Sequence, residues 1–216
     1  GAVTLREGFY YNSALLLGSD AREIRRYDKI HLVPFGEYIP LKKILPFLET
    51  IVPIGDISAG QEYTLFRLKS QGSGGSAQFA TLVCFEDVFP ELSREFVKRG
   101  AEFLVNITND AWYKKTSAAG QHFQASVFRA VENRVLVVRA ANTGISGFIF
   151  PSGKVLSLVR DAAGNAIFVG GIDTQVVFLS KGKETFYNRH GDFFIFLLLI
   201  FVIGSIFISL RKMPRA

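Results

Sequence analysis

The sequence predicts an α/β domain with a layered sheet, followed by one C-terminal transmembrane helix. The α/β prediction comes from 78–139, where apolar strand-like runs alternate with two stretches of helical periodicity, 90–100 and 121–133. The first stretch opens with a proline and ends at Gly100, which suits the two ends of a helix. Such alternation is typical of α/β domains. Strands are predicted at 13–17, 78–84, 103–107, 134–139, 146–150, 155–159 and 174–178.

The transmembrane prediction comes from "FFIFLLLIFVIGSIFISL", which starts at Phe193 and carries no charge. At about 1.5 Å per residue this run is close to the minimum for crossing a hydrocarbon core of about 30 Å. A buried core helix of a soluble protein would show a polar face, and this run has none. We therefore divide the chain into a main domain at 1–190, a transmembrane helix at 191–210 and a basic tail at 211–216. The positive-inside rule places that tail in the cytoplasm and the main domain outside.

The opening run "GAVTLREGFYYNSALLLG" predicts strand, loop and strand directly from residue 1, without a starting Met or signal peptide. We expect an N-terminally truncated fragment whose missing part holds the rest of the sheet. The loop "KSQGSGGSAQ" predicts a flexible connection between strands, and "FPSGKV" predicts a hairpin that adds antiparallel strands at the sheet edge.

Charge and composition narrow the classes of partner. The net charge is +6, but the basic residues are interleaved with acids, which favours a membrane surface over nucleic acid. Three histidines and one cysteine, spread along the chain, offer no metal cluster, and "GSGGS" lacks the Lys and Ser or Thr of a phosphate-binding loop. We expect no metal, no cofactor and no nucleic acid, and a monomeric chain.

The single cysteine, Cys84, is a candidate nucleophile. It ends an apolar strand in "TLVCFEDVFPEL" and precedes a turn into a helix, where a sharp elbow would expose a nucleophile beside main-chain N–H donors. An unpaired thiol is unexpected in an extracytoplasmic domain unless it has a role. Because a free thiol is mostly protonated at neutral pH, it needs a neighbouring base or cation. Lys29, His31 and Glu37 in "YDKIHLVPFGEYIPL" are candidates, although a surface lysine and a loop glutamate would look the same in isolation.

Four motifs, "KIHLVPFGEYIPL", "VCFEDVFPEL", "NITNDAW" and "QHFQASVFRAVENRVLVVRAANTGISGFI", resemble the second half of a nitrilase-superfamily (carbon–nitrogen hydrolase) domain. Together with the C-terminal apolar run they resemble more closely its apolipoprotein N-acyltransferase family. The resemblance covers nearly the whole chain, from about Tyr10 onward. It implies a partial nitrilase-like αββα sandwich, with the N-terminal half missing, followed by the transmembrane helix.

The resemblance also implies a Glu-Lys-Cys site. Lys29 matches its lysine and Cys84 its nucleophile, while Glu37 and Glu86 match two further supporting acids. The glutamate base falls upstream of Gly1, so we expect the fragment to be inactive alone. Where tyrosine is common after the nucleophile, this chain has Phe85, whose backbone N–H is a candidate oxyanion donor together with Lys29.

As the resemblance implies, the enzyme would move a fatty acyl chain from a membrane phospholipid, through a Cys84 thioester, to the N-terminal amine of a diacylglyceryl-cysteine apolipoprotein. It would lie in the bacterial inner membrane, multi-pass in full length, with the catalytic domain on the periplasmic side. Two alternatives remain open. A membrane-tethered nitrilase-like amidase would use the same residues with water as acceptor, and a noncatalytic membrane adaptor would lack the upstream acid.

Aromatic and apolar residues near these motifs are candidate substrate contacts. Phe35, Trp112 and Tyr113 fit a lipid-facing rim, with ordinary core packing as the alternative. His122 fits either an acid or base, or a structural histidine that holds a loop. The kinked apolar stretch 39–57 predicts a lid that guides an acyl chain, although a core-packed excursion would have the same composition. Its candidate lipid contacts are Ile44, Leu45 and Leu48.

Overall fold

A computed structural model describes residues 1–41, 44, 56–69, 75–177, 179 and 184–211. These residues form two sheets. The first is an antiparallel meander in which β1 (Ala2–Arg6), β2 (Phe9–Leu17) and β3 (Glu23–Asp28) pair in chain order. Glu7 and Gly8 form the two-residue loop between β1 and β2, and both have positive φ, as the tight turn of a twisted hairpin requires.

The second sheet has six strands in chain order, and it carries the candidate nucleophile. Its central strands β5, β6 and β7 are parallel, and the flanking pairs β4–β5, β7–β8 and β8–β9 are antiparallel. Five consecutive residues at the end of β5, 79–83, are buried, so both faces of this strand are covered. The strands are β4 (Phe66–Lys69), β5 (Ser76–Val83), β6 (Phe103–Thr108), β7 (Leu136–Ala141), β8 (Gly147–Ile149) and β9 (Val155–Leu158).

Helices make the crossovers that parallel strands require. Helix α1 (Pro90–Lys98) connects β5 to β6, and helix α2 (Ala118–Asn133) connects β6 to β7. Leu92 and Phe96 of α1 are completely buried in the hydrophobic core, which also includes Ala14 and Tyr27 of the first sheet. The two sheets and the crossover helices therefore share one core. A short helix α3 (Phe186–His190) and a longer helix α4 (Phe193–Arg211) follow near the C-terminus.

Most predicted elements are confirmed, with differences at the edges. Both crossover helices, the opening hairpin and the β8–β9 hairpin form as expected. The strand predicted at 174–178 is wrong for its described residues, 174–177, which belong to neither sheet although their composition alternates. Strands β3 and β4 were not predicted, because both have exposed, charged residues in place of a strong apolar pattern.

The C-terminal apolar run forms α4, whose large side chains from Phe193 to Ile208 are exposed to solvent. Within the described ranges, no helix combines the length and hydropathy needed to cross a bilayer. The transmembrane helix predicted at 191–210 is therefore not confirmed. The 19 residues of α4 extend about 28 Å, slightly less than the ~30 Å of a hydrocarbon core. Residues 212–216 of the predicted tail lie outside the described residues.

Candidate active site

The carboxyl ends of β5, β6 and β7 meet at one edge of the second sheet, because these three strands are parallel. Cys84 comes directly after β5, Asn109 directly after β6 and Asn142 directly after β7. Asn142 Nδ2 donates to Asn109 Oδ1 at 3.0 Å, so the last two segments are joined by a side-chain hydrogen bond. This edge is where α/β sheets generally place ligands and catalytic groups.

Cys84 sits at the sharp elbow that the sequence predicts. It has a φ of 54°, in the left-handed region that a non-glycine residue adopts at a cost of about 1–2 kcal/mol. A 3₁₀ turn runs from Cys84 to Val88, and the thiol is partly accessible. Asn106 Nδ2 donates to the Cys84 carbonyl at 3.0 Å and helps to hold this conformation. Phe85 lies in the first turn, where backbone N–H groups have no partner within the helix.

Lys29 is almost completely buried, with 1% of its surface exposed, and its ammonium is paired. Lys29 Nζ lies 2.7 Å from Glu37 Oε2. Glu37 also accepts hydrogen bonds from Asn12 Nδ2 and from the Val33 N–H, each at 2.7 Å. Burial raises the pKa of Glu37, but the hydrogen bonds from Lys29, Val33 and Asn12 outweigh burial and leave the pKa below its usual value. A charged carboxylate therefore orients the lysine.

Glu86 joins the residues that follow Lys29 to the 3₁₀ turn Cys84–Val88, which we call the nucleophile turn. Its Oε1 accepts hydrogen bonds from Tyr27 Oη at 2.8 Å and from the Ile30 and His31 N–H groups at 2.7 and 3.1 Å. Its Oε2 accepts from the Val83 N–H at 2.8 Å. One carboxyl group thus binds the residues immediately after Lys29 and the residue immediately before Cys84. Complete burial raises the pKa of Glu86, and these hydrogen bonds oppose that rise.

The two supporting acids therefore have different roles. The sequence allowed either Glu37 or Glu86 to orient Lys29, and the structure gives the ion pair to Glu37. Glu86 instead fixes the backbone on which Lys29 and Cys84 are carried. Because the carboxylate accepts several donors at once, it sets the spacing between the two segments more rigidly than a single hydrogen bond would.

A buried polar network lies beneath the nucleophile turn. Asp87, three residues after the nucleophile, is completely buried, and its Oδ1 lies 2.8 Å from His122 Nε2. His122 Nδ1 lies 2.9 Å from Asp110 Oδ1, in the turn that follows β6. The imidazole thus connects the nucleophile turn to the Asp110 turn. This position agrees with the interpretation of His122 as a histidine that holds a loop.

Arg139 completes the network from the middle of β7. Its Nη1 donates to Asp87 Oδ2 at 2.6 Å and to Asn106 Oδ1 at 3.0 Å, and its Nη2 donates to Asp110 Oδ2 at 3.1 Å. Asn106, whose carbonyl oxygen is bound here, is the residue whose amide nitrogen holds the Cys84 carbonyl. Two carboxylates, one guanidinium and one imidazole therefore hold the nucleophile turn, the Asp110 turn and β7 together.

Sequence reasoning missed Asp87, Asp110 and Arg139 as site residues. The available signal was a polar or charged residue within an apolar strand, since Arg139 stands in "LVVRAA" and Asn106 in "FLVNIT". Polar side chains at such positions are costly unless they are hydrogen-bonded, and this marks them as members of a buried network. Their partners come from separate elements, so the network itself could not be predicted from spacing.

Aromatic rings surround the elbow. The His122 ring contacts Phe85 on one side and the edge of Tyr113 on the other, with centroid distances of 6.1 and 5.8 Å. His31, close to Lys29 in the chain, stacks on Phe89 at 4.4 Å. Burial raises the pKa of Tyr113, and the nearby Cys84 contributes to the rise.

Several predicted lipid contacts are exposed rather than packed in the core. Trp112 exposes 85% of its surface, Phe35 53% and Ile44 72%. Core packing is therefore wrong for these three side chains, while Tyr113 is half-buried. The predicted contacts Leu45 and Leu48 lie outside the described residues.

The amino-acid sequence of the chain matches one family of known proteins. The sequence profile described as Carbon-nitrogen hydrolase matches residues 2–177. The chain is 47% identical over 186 residues to the apolipoprotein N-acyltransferase of Geobacter metallireducens, covering 86% of this chain and 33% of that protein. It is 34% identical over 205 residues to the apolipoprotein N-acyltransferase of Thermotoga maritima, covering 94% and 38%.

The chain thus spans about a third of the length of these curated relatives. Among solved structures it is similar to Saccharomyces cerevisiae Nit3, described as a member of branch 10 of the nitrilase superfamily. The TM-score is 0.48 and the identity 21%, over 70% of this chain and 50% of that one. The extent of the profile match shows that the chain belongs to the carbon–nitrogen hydrolase family.

Proposed function

We propose that the chain is the C-terminal part of an apolipoprotein N-acyltransferase, which forms an acyl thioester on Cys84. The observation that carries this proposal is one carboxylate, Glu86, which binds both the backbone beside Lys29 and the backbone beside Cys84. The backbone that carries the partly exposed Cys84 at a strained elbow is thereby joined to the backbone that carries the buried, ion-paired Lys29. The relatives named apolipoprotein N-acyltransferase support this choice within the family.

In the proposed first step, the thiolate of Cys84 attacks the ester carbonyl of a membrane phospholipid. The Lys29 ammonium and the Phe85 N–H stabilise the tetrahedral oxyanion, and each such donor is typically worth about 3 kcal/mol of barrier. The thiol proton passes to a glutamate expected upstream of residue 1, and the lysophospholipid alkoxide leaves with a proton from the same acid.

In the proposed second step, the N-terminal amine of a diacylglyceryl-cysteine apolipoprotein attacks the thioester. The upstream glutamate accepts the amine proton, the fatty amide forms and the Cys84 thiolate is released. Both substrates are lipids, which suits an enzyme at the bacterial inner membrane with its catalytic domain on the extracytoplasmic side. The exposed apolar side chains of α4, Trp112 and Phe35 support contact with lipid.

The test is mass spectrometry of the full-length protein after incubation with phospholipid. We expect an acyl adduct on Cys84 that hydroxylamine removes and that is absent from the Cys84→Ala variant. An adduct that persists in Cys84→Ala would contradict the proposal. The amidase alternative predicts free fatty acid as the only product when a lipoprotein peptide is supplied, whereas acyl transfer predicts an N-acylated peptide.

We also propose that the stretch 39–57, of which residues 42–43 and 45–55 lie outside the described part of the chain, acts as a lid at the lipid interface. The exposed positions of Leu41 and Ile44 support this role at the start of the stretch, while Ile39 is buried. Replacing Ile44, Leu45 and Leu48 with serine should abolish acylation by phospholipid and spare acylation by a short water-soluble ester. Equal loss of both reactions, with a lower melting temperature, would show that the stretch belongs to the core.

A further inference from the structure

The turn that carries Cys84 needs support at both of its ends. Its first residue has a φ of 54°, and such a conformation persists only where the surroundings fix it. Glu86 and Asn106 hold the beginning of the turn through the Val83 N–H and the Cys84 carbonyl. The last carbonyl groups of a helical turn have no partner within it, so the far end requires a separate donor.

Arg129, four residues before the C-terminal end of α2, supplies that donor. Its side chain is buried, and Nη1 donates to the carbonyl oxygens of Asp87 and Val88, both at 3.2 Å. A cation at this position satisfies the free carbonyls and interacts favourably with the negative end of the turn. Among the hydrogen bonds of the described residues, those from Arg129 are the ones that reach the Val88 carbonyl.

The guanidinium of Arg129 is itself fixed in place. The Arg129 Nη2 donates to Glu132 Oε1 at 2.8 Å. The backbone carbonyl oxygen of Arg129 accepts a hydrogen bond from Asn133 Nδ2 at 3.0 Å. Asn133 Oδ1 in turn accepts from Asn188 Nδ2 at 2.8 Å, which secures the end of α2 against α3. The guanidinium, with several donors in a fixed planar arrangement, binds Glu132 and both turn carbonyls simultaneously.

We propose that Arg129 is a positioning residue for the nucleophile, acting through the Asp87 and Val88 carbonyls to keep Cys84 aligned with Lys29. Arg129 does not touch the reacting atoms. Its loss frees the far end of the turn, and the thiol keeps its accessibility while losing its alignment. The inference rests on the proposed thioester at Cys84 and does not depend on which lipid supplies the acyl chain.

The experiment compares two reactions of Cys84 in the full-length protein, well below the melting temperature of every variant. One is thioester formation with a short water-soluble ester, which requires alignment with Lys29. The other is alkylation by iodoacetamide at a pH well above the ordinary thiol pKa of about 8.5, where it requires an accessible thiolate but no alignment with Lys29. In Arg129→Met we expect thioester formation to fall about a hundredfold through kcat with little change in KM, because a misplacement of about 1 Å has an effect of that size. Alkylation should not slow.

Arg129→Lys keeps the charge and should recover part of the rate, ending about tenfold below the wild type. Val137→Ala serves as the matched control, since Val137 is completely buried in β7 and makes no side-chain hydrogen bond to the turn. It should lower the melting temperature without slowing thioester formation.

Thioester formation at the wild-type rate in Arg129→Met would overturn the inference. A parallel fall of both reactions, shared by Val137→Ala, would also overturn it by showing a purely structural effect. If the wild type forms no thioester at all, the proposed function fails, and the inference fails with it.

Discussion

The charge of His122 should control the stability of the folded chain between about pH 6.5 and pH 9. Burial lowers the pKa of His122, but the hydrogen bonds to Asp110 and Asp87 outweigh burial and the neighbouring Arg139, and they raise the pKa from 6.5 to about 9. Below pH 6.5 the histidine is protonated in both the folded and unfolded chains, and the full stabilisation is present. Between the two values the folded state binds more protons, so the free energy of unfolding falls as the pH rises.

The size of the effect follows from the pKa change. Each unit of pKa difference corresponds to about 1.36 kcal/mol, so the rise in the pKa of His122 from 6.5 to about 9 amounts to about 3 kcal/mol at most. For a protein of 150–250 residues, 1 kcal/mol shifts the melting temperature by about 2–4 °C. We therefore expect the melting temperature to fall by roughly 6–12 °C between pH 6.5 and pH 9.5.

The assay is thermal unfolding of the full-length protein in detergent, at half-unit steps of pH, for the wild type and for His122→Asn. The variant cannot titrate at this position, so its melting temperature should be lower at pH 6.5 and nearly flat up to pH 9. Asp87, Asp110 and Arg139 are the charged groups that face the imidazole among the described residues. A flat wild-type profile, or an equal fall in both proteins, would refute the assignment of a charged His122 to the network.

Four substitutions test other parts of the site. Lys29→Met should abolish thioester formation and lower the free energy of unfolding by about 1–3 kcal/mol in denaturant melts, less than for a fully buried pair because Glu37 keeps two donors. Lys29→Arg should also be inactive, since the larger group does not fit a fully enclosed site. Gly144→Ala would place a methyl group 1.9 Å from Asp110 Oδ2, and thermal melts should show a loss of about 1–3 kcal/mol. Glu86→Gln should lower the free energy of unfolding by about 1–3 kcal/mol and slow the reaction with the soluble ester. The glutamine NH₂ group would face backbone N–H groups, which are also donors, in place of a carboxylate oxygen. Wild-type stability in any of these variants would contradict the corresponding contact.

The sequence by itself determined the elements that depend on local order. Alternating strands and helices predict parallel β5, β6 and β7, and the apolar strand before Cys84 with Pro90 after it predicts the elbow. Lys29 and Glu37 were also recognisable as candidates from the sequence, because they flank one short apolar run that ends in Pro34 and Gly36. These features were predictable because each depends on neighbouring residues, whose preferences are expressed before any long-range packing.

Only the tertiary structure decided how the site is held together. Asp87, His122 and Arg139 come from three different elements, and their meeting depends on the register of β6 and β7 and on the packing of α2 against the nucleophile turn. The separate roles of Glu37 and Glu86 were likewise open in the sequence, where both are acids near a functional motif. A buried charge must find partners wherever the fold places them, so the choice among chemically equivalent partners follows from three-dimensional distance and not from spacing along the chain.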